Sequence, residues 1–287
     1  MVKKILITGS NGFVGKNLIE YYSDKYSIIT LFRNDNIDDK LAENPDFIIN
    51  TAASIYDFDT MFDTNVGLVH KLIEYVKQTK TRLVQIGSSA EYGKKDFPSK
   101  ETDLLEPVSY YAGTKAAATL MCQSVALEYD LPIVVARPYS LYGKYEKTYR
   151  LFSKLYESFV NNTEMTLSEG YHDLIYIDDF IFGLDLLLHN GYNGDIVNFG
   201  TGRQTSNFEV LNIFVNIFGN QPNCIKISQG LAKPFENNTW LCDIKYAKEK
   251  YGFVPRFSIK QGVQDLITQR KTHDSRYDRQ QSHTCTN

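Results

Sequence analysis

Three glycines at three-residue spacing, Gly9, Gly12 and Gly15, constrain the fold of this chain more than any other feature. A short apolar run at residues 5–7 precedes them, and apolar residues with helical periodicity follow from Val14. Glycine lets a turn adopt strained angles and lets the backbone approach a pyrophosphate closely. The helix that follows offers free N–H groups and a partial positive charge to phosphates. The segment therefore predicts a strand, a tight turn and a helix that together bind a dinucleotide.

Strand-like and helix-like stretches alternate through the first half of the chain. Residues 27–32, 46–50, 83–86 and 133–136 are predicted as strands, and residues 62–79 and 111–129 as helices. Such alternation predicts an α/β fold of the Rossmann type, with a doubly wound parallel sheet covered by helices on both faces. Ligands are expected at the carboxyl ends of the strands. After about residue 140 the pattern changes to an aromatic-rich helix at 148–159 and polar loops at 161–170.

Composition excludes several classes of function. The net charge is −3 and the pI is near 6, so no basic field suggests nucleic acid as a partner. The four cysteines and five histidines are scattered, which indicates neither a metal site nor a disulfide framework. No apolar run is long enough to span a membrane, and the chain enters a strand at once, without a signal peptide. A cytoplasmic location is expected.

A second motif supplies candidate catalytic residues. Tyr111 and Lys115 stand four apart, so a helix places them on one face, and Ser88 and Ser89 precede them in the chain. A free tyrosine has a pKa near 10, and a nearby ammonium lowers it, which makes the phenol a usable acid or base. This pattern alone is usually an ordinary helix pair. Together with the glycine turn, it favours catalysis.

Several further motifs follow in the same order as in a known superfamily. They lie at residues 48–53, 64–66, 86–93, 137–143, 173–179 and 198–202. With the glycine turn and the Tyr111 motif, they resemble the extended short-chain dehydrogenase/reductases, specifically the NAD-dependent epimerase/dehydratase family that acts on nucleotide sugars. The resemblance extends to about residue 271. It implies a nucleotide-sugar substrate and a homodimer formed through the helices at 62–79 and 111–129.

The resemblance also implies a division of the chain and a set of site residues. By this resemblance, residues 1–139 form the dinucleotide-binding domain with a return segment at 172–200, and residues 140–171 and 201–271 form a smaller C-terminal substrate lobe. The stretch 272–287 is polar and nearly free of apolar residues, which predicts a disordered tail. Ser88 polarises a sugar carbonyl, Tyr111 transfers the proton, and Lys115 also holds the nicotinamide ribose. The cofactor contacts are Gly9, Ser10, Asn11, Gly12, Phe13, Val14, Gly15, Arg33, Ala52, Ala53, Lys115, Pro138, Tyr139 and Ser140. The substrate contacts are Ser88, Ser89, Tyr111, Ser140 and His172, and no metal is expected.

The residues after Ser88 bear on the type of reaction. In family members that are sugar 4,6-dehydratases, an Asp-Glu pair stands where this chain has Ser89 and Ala90. Neither side chain supplies the carboxylate acid and base that elimination needs. The first hypothesis is therefore a reductase of a nucleotide-linked 4-keto-6-deoxyhexose. The alternatives are a nucleotide-sugar 4-epimerase with tightly bound NAD and, in a different class, a non-catalytic NAD(P)-binding regulator.

The end of the second predicted strand bears on the cofactor. Proteins that prefer NAD commonly have Asp or Glu there to bind the ribose 2′-hydroxyl, whereas this chain has Arg33. A guanidinium pairs well with a 2′-phosphate. NADP(H) is therefore favoured, with NAD(H) as the alternative if Asp35 binds the ribose instead.

The C-terminal half departs from the family pattern at three positions. Ser140 stands for an Asn, His172 for an Arg, and Trp240 for an arginine that grips the diphosphate. Arg150, Lys147 and Lys233 are the cations that could compensate. These residues therefore do not identify the nucleotide base or the sugar of the substrate.

Overall fold

The computed structural model describes residues 2–231 and 239–284, and the side chains of residues 2–228 and 239–271. The strands are β1 Lys4–Thr8, β2 Ser27–Leu31, β3 Phe47–Asn50, β4 Arg82–Ile86, β5 Ile133–Pro138, β6 Ser140–Tyr142, β7 Met165–Glu169, β8 Tyr171–Tyr176, β9 Ile196–Phe199, β10 Gln204–Ser206 and β11 Ile225–Leu231. The helices are α1 Phe13–Tyr22, α2 Ile37–Leu41, α3 Phe58–Phe62, α4 Leu68–Thr79, α5 Tyr110–Tyr129, α6 Leu151–Asn161, α7 Ile177–Asn190, α8 Asn207–Phe218, α9 Lys245–Tyr251 and α10 Ile259–Thr284. Within these described ranges, no helix has the length and apolar character needed to cross a bilayer.

Six parallel strands form the central sheet in the order β2-β1-β3-β4-β5-β9. Ile5 and Ile7 of β1 pack into one hydrophobic cluster, which includes residues of α1 and α7, while Leu6 packs into a second cluster with residues of α4 and α5. Successive side chains of a strand point to opposite faces, so this split shows that helices cover both faces of the sheet. The predicted doubly wound α/β fold is confirmed.

The chain order reverses at β1, because β2 lies on one side of it and β3 on the other. Only the five-residue helix α2 lies in the connection between β2 and β3. In open α/β sheets, ligands bind at the carboxyl ends of the strands beside such a switch point. The fold therefore directs attention to the ends of β1 and β3.

The remaining strands form two smaller sheets. One has the order β10-β8-β6, and the other pairs β7 with β11 in parallel. In the segment predicted as the return to the first domain, α7 packs on the central sheet and β9 is its edge strand, while β8 belongs to the smaller sheet. Helices α6 and α8 pack against β7.

Two helical segments differ from the sequence prediction. The single helix predicted at 62–79 is divided into α3, a π-helical segment at Asp63–Gly67, and α4. The π-helical segment buries Asn65, whose side-chain amide bonds the main chain of Ser54 in both directions at 2.9 Å. Helix α10 continues to Thr284, whereas a disordered tail is predicted from residue 272. An established helix adds one hydrogen bond for each residue it gains, and its Lys, Arg and Gln residues are good helix formers; residues 285–287 lie outside the described part of the chain.

Candidate active site and cofactor cleft

The glycine turn joins β1 to α1 in a conformation that leaves no room for a side chain at Gly9 or Gly15. Gly9 has a φ of 62°, in the left-handed region that favours glycine. A Cβ atom on Gly15 would lie 2.4 Å from the carbonyl oxygen of Gly9, and a Cβ atom on Gly9 would lie 2.8 Å from the nitrogen of Ala52. Gly12 precedes α1, and no side chain caps the first N–H groups of that helix. These N–H groups are therefore available to an anion.

The other predicted residues of this turn differ in what they contact. Ser10 is buried, and its hydroxyl donates to a main-chain carbonyl of β1 at 2.6 Å and accepts from a main-chain N–H of β2 at 3.2 Å. The side chain of Ser10 thus joins two strands. Phe13 and Val14 pack against the core, whereas Asn11 is exposed and lines the cleft described below. Asn11 is the one of these four that lines the cleft.

Three buried polar side chains, Thr8, Asn50 and Gln85, form a ladder beneath the ends of β1, β3 and β4. The Thr8 hydroxyl donates to Asn50, and the Asn50 amide donates to Gln85 at 2.7 Å. Gln85 donates in turn to the main-chain carbonyl of Ile86 at 2.9 Å, and the ammonium of Lys115 donates to the same carbonyl. We call this chain the amide ladder. It connects the start of the glycine turn to the candidate catalytic lysine.

A cleft of about 840 Å³ lies at the ends of β1, β2 and β3. Gly9, Gly12, Ala52 and Ala53, which are four of the predicted cofactor contacts, line it. The second half of the chain contributes Lys147 and Tyr149, and the ring of Tyr149 lies 5.9 Å from the ring of Tyr56 across the loops. The glycine turn and the size of the cleft fit a dinucleotide.

Arg33 lies at the rim of this cleft, directly after β2. Its side chain is 71% exposed, and its Nη2 atom lies 3.4 Å from the Asp57 carboxylate. An exposed ion pair of this kind contributes at most about 1 kcal/mol, so a stronger anion can displace it. The carboxylate of Asp35 accepts the main-chain N–H of Phe32 at 3.0 Å. One oxygen of Asp35 is thus bound within its own turn, and both Asp35 and Arg33 line the cleft.

Ser88 lies between β4 and a short 3₁₀ helix at Ser89–Tyr92. Its hydroxyl oxygen accepts the Ala90 N–H at 3.2 Å, and its main-chain N–H donates to Glu91 at 2.7 Å. The same hydroxyl forms a second hydrogen bond, with the phenol of Tyr111. The structure therefore brings Ser88 and Tyr111 together.

The pKa of Tyr111 depends on several neighbours. Burial raises this pKa, and so does the charge of Glu91, while the hydrogen bond with Ser88 and the charge of Arg150 lower it. The sequence predicts that Lys115 lowers this pKa. In the structure, Arg150 is a cation that lowers it, whereas the ammonium of Lys115 donates to the Ile86 carbonyl.

Lys115 is buried one helical turn after Tyr111. Burial lowers the pKa of Lys115 to about 8, and the charge of Glu91 acts in the opposite direction. The protonation state of a lysine with such a pKa changes just above neutral pH and depends on the neighbouring charges. Lys115 therefore belongs to the same electrostatic unit as Tyr111 and Glu91.

The remaining predicted residues lie around the end of β5 and in the second half of the chain. Pro138 ends β5, and Ser140 begins β6. Tyr139 is buried, with its ring 6.4 Å from that of Trp240. Ser89 is buried, and His172 lies on β8 opposite Thr205 of β10. Lys233 lies outside the described residues.

Sequence reasoning missed two features of the site. Tyr56 and Tyr149 face each other across the cleft, although they are far apart in the chain. Glu91 is fully buried and paired with Arg137 directly behind Ser88. The sequence did contain an indication of this ion pair. Glu91 is a charged residue in a motif of small and apolar residues, and a charge buried among them needs a partner.

The doubly wound fold, the glycine turn at its switch point and the Ser88–Tyr111–Lys115 arrangement define a dinucleotide-binding protein of the Rossmann class. The model of the NAD dependent epimerase/dehydratase family matches residues 5–200. The chain belongs to this family.

Individual relatives are distant. A dTDP-D-glucose 4,6-dehydratase of Dictyostelium discoideum is 25% identical over 75% of this chain, and the match spans 62% of that relative's length. Among solved structures, dTDP-glucose 4,6-dehydratase from Bacillus anthracis in complex with NAD has a TM-score of 0.84 at 22% identity, covering 95% of this chain and 98% of that one. UDP-glucuronic acid 4-epimerase from Bacillus cereus, in complex with UDP-glucuronic acid and NAD, has a TM-score of 0.82 at 22% identity over 94% and 99%. RMD from Pseudomonas aeruginosa, complexed with NADPH, has a TM-score of 0.80 at 20% identity over 92% and 97%. At these identities the structures establish the fold.

Proposed function

We propose that this protein reduces the C4 ketone of a nucleotide-linked 4-keto-6-deoxyhexose with NADPH. The observation that carries the proposal is the hydrogen-bonded pair of Ser88 and Tyr111 at the end of the central sheet, followed by Ser89 and Ala90. The next acidic residue, Glu91, is buried and bound to Arg137, so it is not available to a substrate. A site with this trio and without an accessible carboxylate after Ser88 suits carbonyl reduction better than elimination of water.

The residues of the cleft fit a dinucleotide because the backbone at Gly9 and Gly15 leaves no space for a Cβ atom. The first N–H groups of α1 would bind the pyrophosphate, and Lys115 the nicotinamide ribose. When bound, the reduced nicotinamide supplies the hydride. Relatives of known structure contain NAD or NADPH, so the fold is compatible with either.

The chain's own residues would handle the charge and the proton. The Ser88 hydroxyl donates a hydrogen bond to the ketone oxygen and stabilises the negative charge that develops there. Tyr111 donates its phenolic proton to that oxygen, which becomes the product hydroxyl. The positive charge of Arg150 and the hydrogen bond from Ser88 stabilise the phenolate that remains. A proton from water then restores Tyr111.

A nucleotide-sugar 4-epimerase is the second candidate. The same trio would remove and return the proton of the C4 hydroxyl, and bound NAD would supply the acceptor for the hydride; the UDP-glucuronic acid 4-epimerase of Bacillus cereus is in complex with NAD. An epimerase regenerates its cofactor in each cycle. Net cofactor consumption therefore separates the two candidates.

The test is the absorbance of NADPH after enzyme is mixed with a panel of nucleotide-linked 4-keto-6-deoxy sugars. The proposal predicts oxidation of NADPH in proportion to the sugar added, with no oxidation when the sugar is omitted. No net oxidation by any sugar, with NAD found bound to the purified protein, would favour the epimerase.

Replacing Arg33 with Asp tests the choice of cofactor. Charge-assisted hydrogen bonds contribute about 1.5–3 kcal/mol, so KM for NADPH should rise about 10- to 100-fold while KM for NADH changes little. Arg203 offers a matched control, because it is equally exposed, forms a similar ion pair with Glu209 and lies outside the cleft. Arg203→Asp should leave both KM values unchanged. An equal effect of Arg33→Asp on the two cofactors would remove the argument for NADPH.

A homodimer through α4 and α5 remains a proposal. Leu120 and Leu127 are seven residues apart on α5 and are 51% and 66% exposed, which is unusual for leucines on one helix face. Replacing both with Asp should convert a dimer into a monomer in analytical ultracentrifugation, because buried charges oppose association. Val254→Asp, at a site of 50% exposure elsewhere, should leave the mass unchanged. A monomeric unsubstituted protein would contradict the proposal.

A further inference from the structure

Glu91 is the acidic residue of the 3₁₀ helix that follows Ser88, and its side chain has no exposed surface. One carboxylate oxygen lies 2.7 Å from Nε of Arg137, which is itself 1% exposed. Burying such a pair costs desolvation energy that hydrophobic residues of similar size would avoid. Stability alone therefore does not account for an ion pair at this position.

The other contacts of Glu91 lead to the candidate catalytic residues. Its second carboxylate oxygen accepts the main-chain N–H of Ser88 at 2.7 Å and the hydroxyl of Thr119 at 3.0 Å. Thr119 lies one turn after Lys115 on α5. A Cβ atom on Gly87 would come within 2.7 Å of the same oxygen, so the glycine before Ser88 provides the space that the carboxylate occupies.

We propose that Glu91 is a positioning residue of the active site: its carboxylate fixes the main chain of Ser88 against α5 and keeps an anion beside Lys115. The proposal rests on the proposed catalytic roles of Ser88 and Lys115. It goes beyond them in assigning to one buried side chain both the placement of the serine and the charge state of the lysine.

The titratable groups around Lys115 and Glu91 come from the 3₁₀ helix, α5 and β5. Burial lowers the pKa of Lys115 to about 8, while Glu91 from the 3₁₀ helix and Cys122 from α5 raise it. Burial raises the pKa of Glu91, and the cations Arg137 of β5 and Lys115 oppose that effect.

Tyr111 shares this environment. The anion of Glu91 raises its pKa, as does Tyr56, and the cation of Arg150 at the start of α6 lowers it. Removing the charge of Glu91 therefore lowers the pKa of both catalytic groups. For Lys115, a lower pKa means that the ammonium is lost at a lower pH than in the unsubstituted protein.

Two variants of Glu91 separate charge from position. Glu91→Gln keeps the shape and removes the charge, so the pKa of Lys115 should fall below its value of about 8, and the alkaline limb of the pH–rate profile should move to lower pH. Glu91→Asp keeps the charge but is one methylene shorter, so this pKa should stay near that of the unsubstituted protein. Because the Ser88 N–H then loses its acceptor, kcat should fall about 10- to 100-fold.

The direct measurement is a pH titration of the side-chain nitrogen of Lys115 by NMR on ¹⁵N-lysine-labelled full chain, with the resonance assigned by its absence in Lys115→Met. This titration needs no substrate, so it tests Glu91 even if the reductase proposal fails. If Glu91→Gln does not fold because it leaves Arg137 unpaired, Glu91→Gln combined with Arg137→Gln is compared with Arg137→Gln alone, so that the two proteins differ only in the charge of residue 91. An unchanged Lys115 titration without the Glu91 charge, or full activity of Glu91→Asp, would overturn the proposal.

Discussion

Replacing Tyr111 with Phe is expected to lower kcat for the proposed reduction about 10³-fold, because it removes the proton donor and keeps the ring. The affinity for NADPH should change by less than about threefold, since Lys115 and the glycine turn are unaffected. The measurement combines initial rates of NADPH oxidation with NADPH binding followed by its fluorescence.

Tyr110 provides the matched control for this variant. It precedes Tyr111 on α5, but it is 45% exposed and its ring contacts Phe58 instead of the catalytic serine. Tyr110→Phe should therefore keep kcat within about twofold of the unsubstituted protein. If Tyr111→Phe keeps full activity, Tyr111 is not the proton donor. A cellular effect that survives Tyr111→Phe, with cofactor still bound, would instead favour a non-catalytic regulator.

Replacing Gly15 with Ala is expected to weaken NADPH binding about 100-fold. The added methyl group would lie 2.4 Å from the Gly9 carbonyl oxygen and 2.9 Å from the Cα atom of Ser10, both of which are main-chain atoms. Relief of this clash requires the turn itself to shift, and a strain of about 1–3 kcal/mol accounts for a loss of this size. Isothermal titration with NADPH measures the effect, and circular dichroism verifies that the variant is folded.

Gly113 is a suitable control for this variant, because a Cβ atom there would have no neighbour within 4 Å. It lies in α5, where alanine is more favourable than glycine by about 1 kcal/mol. Gly113→Ala should therefore stabilise the protein slightly and bind NADPH normally. Normal binding by Gly15→Ala as well would show that the glycine turn is not the pyrophosphate site.

The central sheet could be predicted because the residues that determine each strand and turn are close together in the chain. The run Ile5-Leu6-Ile7 is fully buried, and the glycines that follow it need no distant partner to form a turn. The same holds for Tyr111 and Lys115, whose spacing places them on one helix. Ser10 shows the limit of such reasoning, since its place in the motif does not reveal that its hydroxyl joins two strands.

The partners of the catalytic groups could not be predicted, because they are distant in the chain. Lys115 binds the carbonyl of Ile86, and Glu91 pairs with Arg137, across separations of 29 and 46 residues. These pairings depend on how α5, the 3₁₀ helix at Ser89–Tyr92 and β5 pack together. The π-helical segment at Asp63–Gly67 is of the same kind, since the side chain that it buries bonds to a loop outside the helix.

The amide ladder of Thr8, Asn50 and Gln85 satisfies its own hydrogen bonds without any ligand. The Thr8 hydroxyl also accepts the main-chain N–H groups of Thr51 and Ala52, which line the cleft, so the ladder supports the cleft from beneath before a dinucleotide binds. Binding does not have to order this support or exchange its hydrogen-bond partners, and the conformational entropy lost on binding comes from the exposed rim around Arg33 and Tyr56. Affinity can accordingly be changed by substituting single side chains of the rim, while the buried support stays the same for every ligand that the cleft accepts.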